Sequence, residues 1–227
     1  MEHGFTWLSG FGWREPIATA VLVSVALVAF AALLRRRTLA VVDAINPENG
    51  MTIRNVGEIA VEGLSGLAEG VLGHGHERYV PLLATLFVYI LVSNLLGLVP
   101  GFSPPSGHFQ MTFGLGIVTF LAYNAYGMKE HGVWKYLQHF LGPVLFIAPL
   151  MLIIELFSHS FRPISLGIRL FANMDADHKV IALFTDLTHF GIPVAFYILG
   201  TFVSVVQAFV FTILTAIYIS LAVAHDH

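Results

Sequence analysis

The stretch that most constrains this chain runs from about residue 141 to 185. It holds two apolar runs, 141–158 and 164–185, interrupted by His159, Arg162 and Pro163. A continuous helix of about 45 residues would be roughly 68 Å long at 1.5 Å per residue. That is more than twice a hydrocarbon core of about 30 Å. The segment must therefore fold into a hairpin or follow one strongly tilted, kinked path. Its second run also carries Arg169, within Pro163-Ile164-Ser165-Leu166-Gly167-Ile168-Arg169-Leu170-Phe171-Ala172-Asn173-Met174. An arginine at the centre of a membrane helix costs roughly 2.5 to 3.5 kcal/mol on insertion scales. Its pKa is too high for it to discharge. A fixed cation at that depth demands a partner, a water-filled cavity, or both. Arg162, beside Pro163 at a helix start, can snorkel to the headgroups. Arg169 lies two turns further in and is read as functional.

The rest of the chain is of the same character. Of 227 residues, 56% are hydrophobic and 11% charged, against about 25% charged in a soluble domain. These values define one multi-span membrane domain over residues 1–227. With no cysteine there is no disulfide, thiolate metal site or thiol nucleophile; the net charge of −3 carries little information, and no basic field for nucleic acid exists. The first span is 17–34, stopped by Arg35-Arg36-Arg37. The second is 80–99, the third 109–127, and the last helix 193–224, restarted by Gly191-Ile192-Pro193. Gly101 to Gly107 form a turn-rich outer loop.

Arg35, Arg36, Arg37, Arg54, Arg78, Lys129 and Lys135 then fall on one side and Arg14 alone on the other. The positive-inside rule places the N-terminus outside. Met1 to Glu15 lack the basic start of a cleaved signal peptide. Residues 51–72 differ from the spans. Val56, Ile59, Ala60, Leu64, Leu67 and Val71 share one helical face, with Arg54, Glu58, Glu62 and Glu69 elsewhere. This reads as an amphipathic helix on the cytoplasmic surface or as a packed helix of a small lobe. The fold expected is all-α and polytopic, with about five to six membrane helices including a long tilted helical hairpin.

On an ideal helix, Asn173 lies one turn beyond Arg169 and about 40° around it, and Ser165 one turn before. Leu166, Leu170 and Met174 flank this polar stripe. Asp177 lies about 80° from Arg169 and His178 on the opposite face. Glu155 lies in the preceding apolar run, and Gln207 mid-span in the last helix. Ser165, Asn173 and Gln207 read either as helix–helix glue or as site residues. Glu155 and Asp177 are carboxylates in apolar surroundings, whose default is function, and Asp175 could line a wet cavity. His178 reads as a proton relay or a satisfied core donor. His74-Gly75-His76 is too short to close a metal site. Ser158 and His159 point about 100° apart and form no dyad. A fixed cation, titratable groups and polar faces suit ion translocation better than bond-breaking chemistry.

On these residues, with Gln207-Ala208-Phe209-Val210-Phe211-Thr212-Ile213-Leu214 and Val92-Ser93-Asn94-Leu95-Leu96-Gly97-Leu98-Val99-Pro100, the chain resembles the subunit a family of the F-type rotary ATP synthases. The likeness covers most of the chain from about residue 35. It implies a stator subunit, not an enzyme on its own, that offers two offset half-channels to a rotating ring of c subunits, each with a mid-membrane carboxylate. By resemblance Arg169 matches the essential arginine, Asn173 and Gln207 its polar neighbours, and Glu155 a half-channel carboxylate. Residues 141–185 would form a tilted path along the ring, which leaves the C-terminus inside. The partners implied are the c-ring, the peripheral-stalk b subunits, the bilayer and translocated H⁺ or Na⁺, with no cofactor, metal or nucleic acid. The setting expected is a bacterial inner membrane.

One departure stands out. Many bacterial members carry Glu where this chain has His178. Members with His there often place a Glu seven residues before the matching Gln, and here that place is Gly200. Asp175, Asp177, Asp186 or His189 are the candidate substitutes, and Gly200 reads as a gap that a carboxylate could fill. The alternative function is a secondary transporter with Arg169 anchoring an anionic substrate. It lacks the inverted repeat such a fold needs.

Overall fold

A computed structural model describes residues 14–40, 53–73, 75–99, 101–139, 148–187 and 191–224. Among these, the regular structure is helical throughout: α1 (Glu15–Ala40), α2 (Ile53–Leu72), α3 (Val80–Leu96), α4 (Phe109–His131), α5 (Val133–His139), α6 (Ala148–Leu187) and α7 (Ile192–Val223). The apolar part of α1, Glu15–Leu33, and α7 are each long and apolar enough to cross a membrane, and α3 is a shorter apolar helix. Helices satisfy every backbone group within the segment, as a bilayer requires.

Two boundaries differ from those expected. Arg35-Arg36-Arg37 ends the apolar run but not the helix, because α1 continues to Ala40. Arginine is a good helix former, and a charged turn outside hydrocarbon costs the helix nothing. More important, α6 is one helix of 40 residues with Pro163 inside it, roughly 60 Å long. The hairpin of 141–158 against 164–185 does not form. α6 ends at Leu187 and packs against α7. Proline removes one backbone bond, to the carbonyl of His159, and normally breaks a helix in water. Within a membrane bundle neighbouring helices support such a residue. Residues 141–147 of the expected path, His74, His189 and the C-terminal His225-Asp226-His227 lie outside the described residues, as does the Asp186 side chain.

α6 is held by close approach. A Cβ on Gly116 of α4 would stand 2.5 Å from the Pro163 carbonyl oxygen, and one on Gly167 of α6 would stand 3.0 Å from the Phe113 Cα. Small residues let backbones meet where lipid supplies no hydrophobic drive. Leu166, Leu170 and Met174 of α6 then pack with Leu86 and Ile90 of α3 and Ala208 and Phe211 of α7. A second cluster joins α2 to the bundle through Ala68, with Tyr79, Leu83, Tyr123, Ala216 and Ile219. Glu58, Glu62 and Glu69 of α2 are exposed, and so are Ile59 and Val61.

Arg78 donates to Glu130 at 3.1 Å, and the rings of Tyr79 and Tyr126 meet edge to face at 4.8 Å. These contacts bring the start of α3 to the end of α4, so the two run antiparallel. Gly132, at φ 78°, makes the bend from α4 to α5 that a side chain would strain. The Pro105–Gly107 turn tucks back against α3, α4 and α6, with Pro105 and Ser106 buried.

Paired substitutions test the crossing of α4 and α6. Gly116→Ala places a methyl against backbone and is expected to cost about 1–3 kcal/mol. Gly114→Ala, whose Cβ meets nothing within 4 Å, should be neutral or slightly stabilising. Thermal unfolding in detergent reads the difference. Equal behaviour of the two would contradict the packing.

Candidate functional site

α6 orders its polar groups along one axis and sorts them around it. Arg169 is exposed. It has no ion pair or hydrogen bond among the described residues. The helix buries Leu166, Leu170 and Met174 instead, so the cation is left on the outward stripe with Ser165, Ile168, Ala172 and Asn173. Ser165 donates back to the Arg162 carbonyl at 3.0 Å, which satisfies it within its own helix.

Asn173 reaches across. Its amide donates to Gln207 Oε1 at 2.6 Å, and Gln207 itself is buried on α7. The two polar neighbours of Arg169 thus pin α6 to α7 just beside the charge. Asn94 of α3 adds a weaker tie, its amide 3.4 Å from the Ser204 carbonyl. In the lipid-like interior such bonds average about 0.6 kcal/mol and reach about 1.7.

Beyond Arg169 the sequence candidates separate. Asp175 is taken by Lys179, at 2.6 Å. Both lie on one exposed edge of α6, and the pair leaves Asp175 a partnered acid. Asp177 faces α7 at Gly200: a Cβ there would stand 2.6 Å from Asp177 Oδ2 and 3.0 Å from Leu98 Cδ2. The expected gap at Gly200 is therefore no gap. The carboxylate that could have stood on α7 comes from α6, and glycine makes room for it. His178 points the other way, toward α3. A Cβ on Gly97 would stand 2.5 Å from its Nε2. The ring lines a cavity of about 260 Å³ with Gly97, Leu98, Ala182, Thr185 and Tyr197.

On the other side of Arg169, Glu155 is half-buried and lies 3.9 Å from Nδ1 of His159. His159 is 8% exposed. Its Nε2 is 3.2 Å from Asn124 Oδ1 and 3.4 Å from the Tyr136 hydroxyl, and that hydroxyl donates to the same Oδ1 at 2.9 Å. The sequence does not announce this group: His159 reads there as an interruption between two apolar runs and as a poorly placed partner for Ser158. The signal available was its i, i+4 spacing from Glu155, which puts both on one face. Ser158 is exposed while His159 is buried, consistent with no dyad between them. Among the described residues no three His, Asp or Glu side chains gather to hold a metal ion.

Fold and site together define a helical membrane protein with a fixed cation on the outward face of one long helix and polar groups on both sides of it along the axis. Comparison with known proteins sharpens that class. The family described as ATP synthase A chain matches residues 17–220. ATP synthase subunit a of Bdellovibrio bacteriovorus is 44% identical over 211 residues, covering 93% of this chain and 92% of that protein. The Geobacter sulfurreducens subunit a is 41% identical over 77% of this chain and 76% of its own. That of Solibacter usitatus is 39% identical over 95% and 89%. The chain belongs to the ATP synthase A chain family. It is a membrane subunit of the ATP synthase complex, in the sector that conducts protons, and has no enzymatic activity by itself.

The geometry at Gly200 reverses what the sequence invites. Gly200→Glu is expected to cut ATP-driven proton pumping about tenfold, because its Cβ meets Asp177 and two carboxylates then crowd one place. Asp177→Ala in the same chain removes the obstructing oxygen and should restore much of the rate. Acidification of inverted vesicles is the measurement. Wild-type pumping by Gly200→Glu alone would contradict the assignment of that place to Asp177.

Proposed function

We propose that this chain supplies the stationary cation and the two aqueous half-channels past which a ring of c subunits carries protons. The observation that supports this most is the arrangement on α6: an exposed Arg169 without an ion pair or hydrogen bond among the described residues, with titratable groups before and after it on one continuous helix. Glu155 precedes Arg169 by 14 residues and Asp177 follows by 8, or about 21 Å and 12 Å along an α-helix. Glu155 serves the cytoplasmic half-channel. Asp177 and His178, with the cavity beside Tyr197, serve the outer one, and Asp175 with Lys179 borders it. Asn173, Gln207 and Ser165 form the polar setting of Arg169.

The chemistry follows from the charges. A deprotonated carboxylate on the ring is costly in lipid. Opposite Arg169 it is stabilised and its proton affinity falls. Opposite a half-channel it takes up a proton, becomes neutral and rotates into lipid. Arg169 also repels protons and so blocks a direct leak between the channels. Each charge moved through 100 mV yields roughly 2.3 kcal/mol, so several protons are needed for each ATP. The contact must form without locking. A dry ion pair would be too strong to release, so the contact is expected to lie near water.

In this reading the subunit lies in a bacterial inner membrane with its N-terminus outside and C-terminus inside. It binds the c-ring along α6 and α7 and the peripheral-stalk b subunits elsewhere, and α2 lies along the cytoplasmic surface. Family membership does not favour the secondary-transporter alternative.

Arg169→Ala is expected to abolish ATP-driven proton pumping in inverted vesicles while ATP hydrolysis by the detached head is retained. Arg169→Lys should fail nearly as completely, because a compact ammonium lacks the planar fork and loses its charge more readily when desolvated. Normal pumping by the alanine variant would overturn the proposal.

A further inference from the structure

The inner polar cluster holds a group that the proton path as described does not use. His159 sits one helical turn after Glu155 on α6, wedged between the edges of Phe120 and Tyr123 of α4 at ring separations of 5.8 and 5.3 Å. The hydrogen bonds around it fix its chemistry. Asn124 donates its amide to the Phe120 carbonyl at 2.7 Å, which sets its Oδ1 as the acceptor toward the cluster. The Tyr136 hydroxyl donates to that oxygen at 2.9 Å. His159 Nε2, 3.2 Å from the same Oδ1, can only donate to it, so Nε2 carries a hydrogen. The remaining nitrogen, Nδ1, is then the basic one, and it is the nitrogen 3.9 Å from Glu155 Oε1.

An unprotonated Nδ1 beside an ionised carboxylate sets a lone pair against a negative charge in apolar surroundings. One added proton resolves this in either of two ways. On Glu155 it makes a neutral acid facing a neutral imidazole. On Nδ1 it makes a carboxylate facing an imidazolium. The charge is the same in both, and the proton crosses between them by a short movement of the Glu155 side chain. Among the described residues, the other ionisable groups around the pair are Arg162 of α6, whose guanidinium lies 5.4 Å from the Tyr218 ring centroid of α7, Tyr123 of α4 and Tyr136 of α5. Arg162 opposes a second positive charge and favours release of the proton once it has been loaded.

We propose that Glu155 and His159 act as one proton-loading pair on the cytoplasmic side, with Asn124 and Tyr136 as positioning residues that hold the imidazole in the Nε2–H tautomer. This rests on the reading of Glu155 as part of the inner half-channel. The pair takes one proton from water on that side and passes one on toward the ring, or the reverse during synthesis, with no other bond made or broken.

The test uses the complete ATP synthase in liposomes, with ATP-driven pumping measured against pH on the cytoplasmic side. His159→Gln keeps a donor for Asn124 but cannot take a proton. It should lower pumping about tenfold and flatten the pH profile. The pH profile separates this from packing. A packing role predicts a lower rate with the wild-type pH dependence. If His159→Gln does not assemble with the ring, Asn124→Leu, which leaves the imidazole and removes its acceptor, should give the same flattening. The proposal is overturned if His159→Gln, or in its place Asn124→Leu, pumps with the wild-type rate and pH profile, or pumps more slowly with the wild-type pH profile. Glu155→Gln separates the two readings. If it is inactive while His159→Gln is normal, only the pairing fails. If both pump normally, the inner path does not pass Glu155 at all.

Discussion

Everything in this fold answers to one unpaid charge. A guanidinium cannot shed its proton, and hydrocarbon does not tolerate it alone. Within its own chain Arg169 has been given no counter-ion among the described residues. A neighbouring acid would have been simple to supply on α7, three or four residues from Gln207, but that surface is Val203, Ser204 and Phe211. A charge left exposed on the outward face of a helix in an otherwise apolar chain suits a partner outside the chain. In the proposed mechanism that partner arrives and leaves on the ring.

Holding such a charge at a fixed place requires a rigid carrier, and the packing provides it. α6 would be fragile at Pro163 if it stood alone. Instead the Pro163 carbonyl lies against Gly116, Gly167 lies against the Phe113 backbone, and Asn173 is bonded to Gln207 beside the cation. The contacts occur on three successive parts of one helix, so the distances from Glu155 to Arg169 and from Arg169 to Asp177 are set by helix rise. In the proposed mechanism, a helix that serves both sides of a membrane must keep those distances while a ring moves past it.

Much of this was legible in the residues. The stripe of Ser165, Arg169 and Asn173 and the flank of Leu166, Leu170 and Met174 follow from helical periodicity and the cost of charge, and the structure keeps them. The choice between a hairpin and one continuous path was not legible in the residues alone, because a proline reads as a break unless the helix opposite carries a glycine at the same level. Nor was the place of Asp177. Sequence spacing put it about 80° from Arg169 but could not show that Gly200 on another helix would be its neighbour. The His159 cluster was hidden for a related reason. Its partners Asn124 and Tyr136 are 35 and 23 residues away, and only the approach of α4 and α5 to α6 brings them together.

The central claim is that the two sides of Arg169 open to opposite faces of the membrane. The chain has no cysteine of its own, so single cysteines can be placed without background. In the assembled complex, a cysteine at Glu155 should react with a membrane-impermeant thiol reagent added from the cytoplasmic side. A cysteine at Ala182, in the cavity beside His178, should react only from the outside. Reaction of both positions from one and the same face would contradict the account.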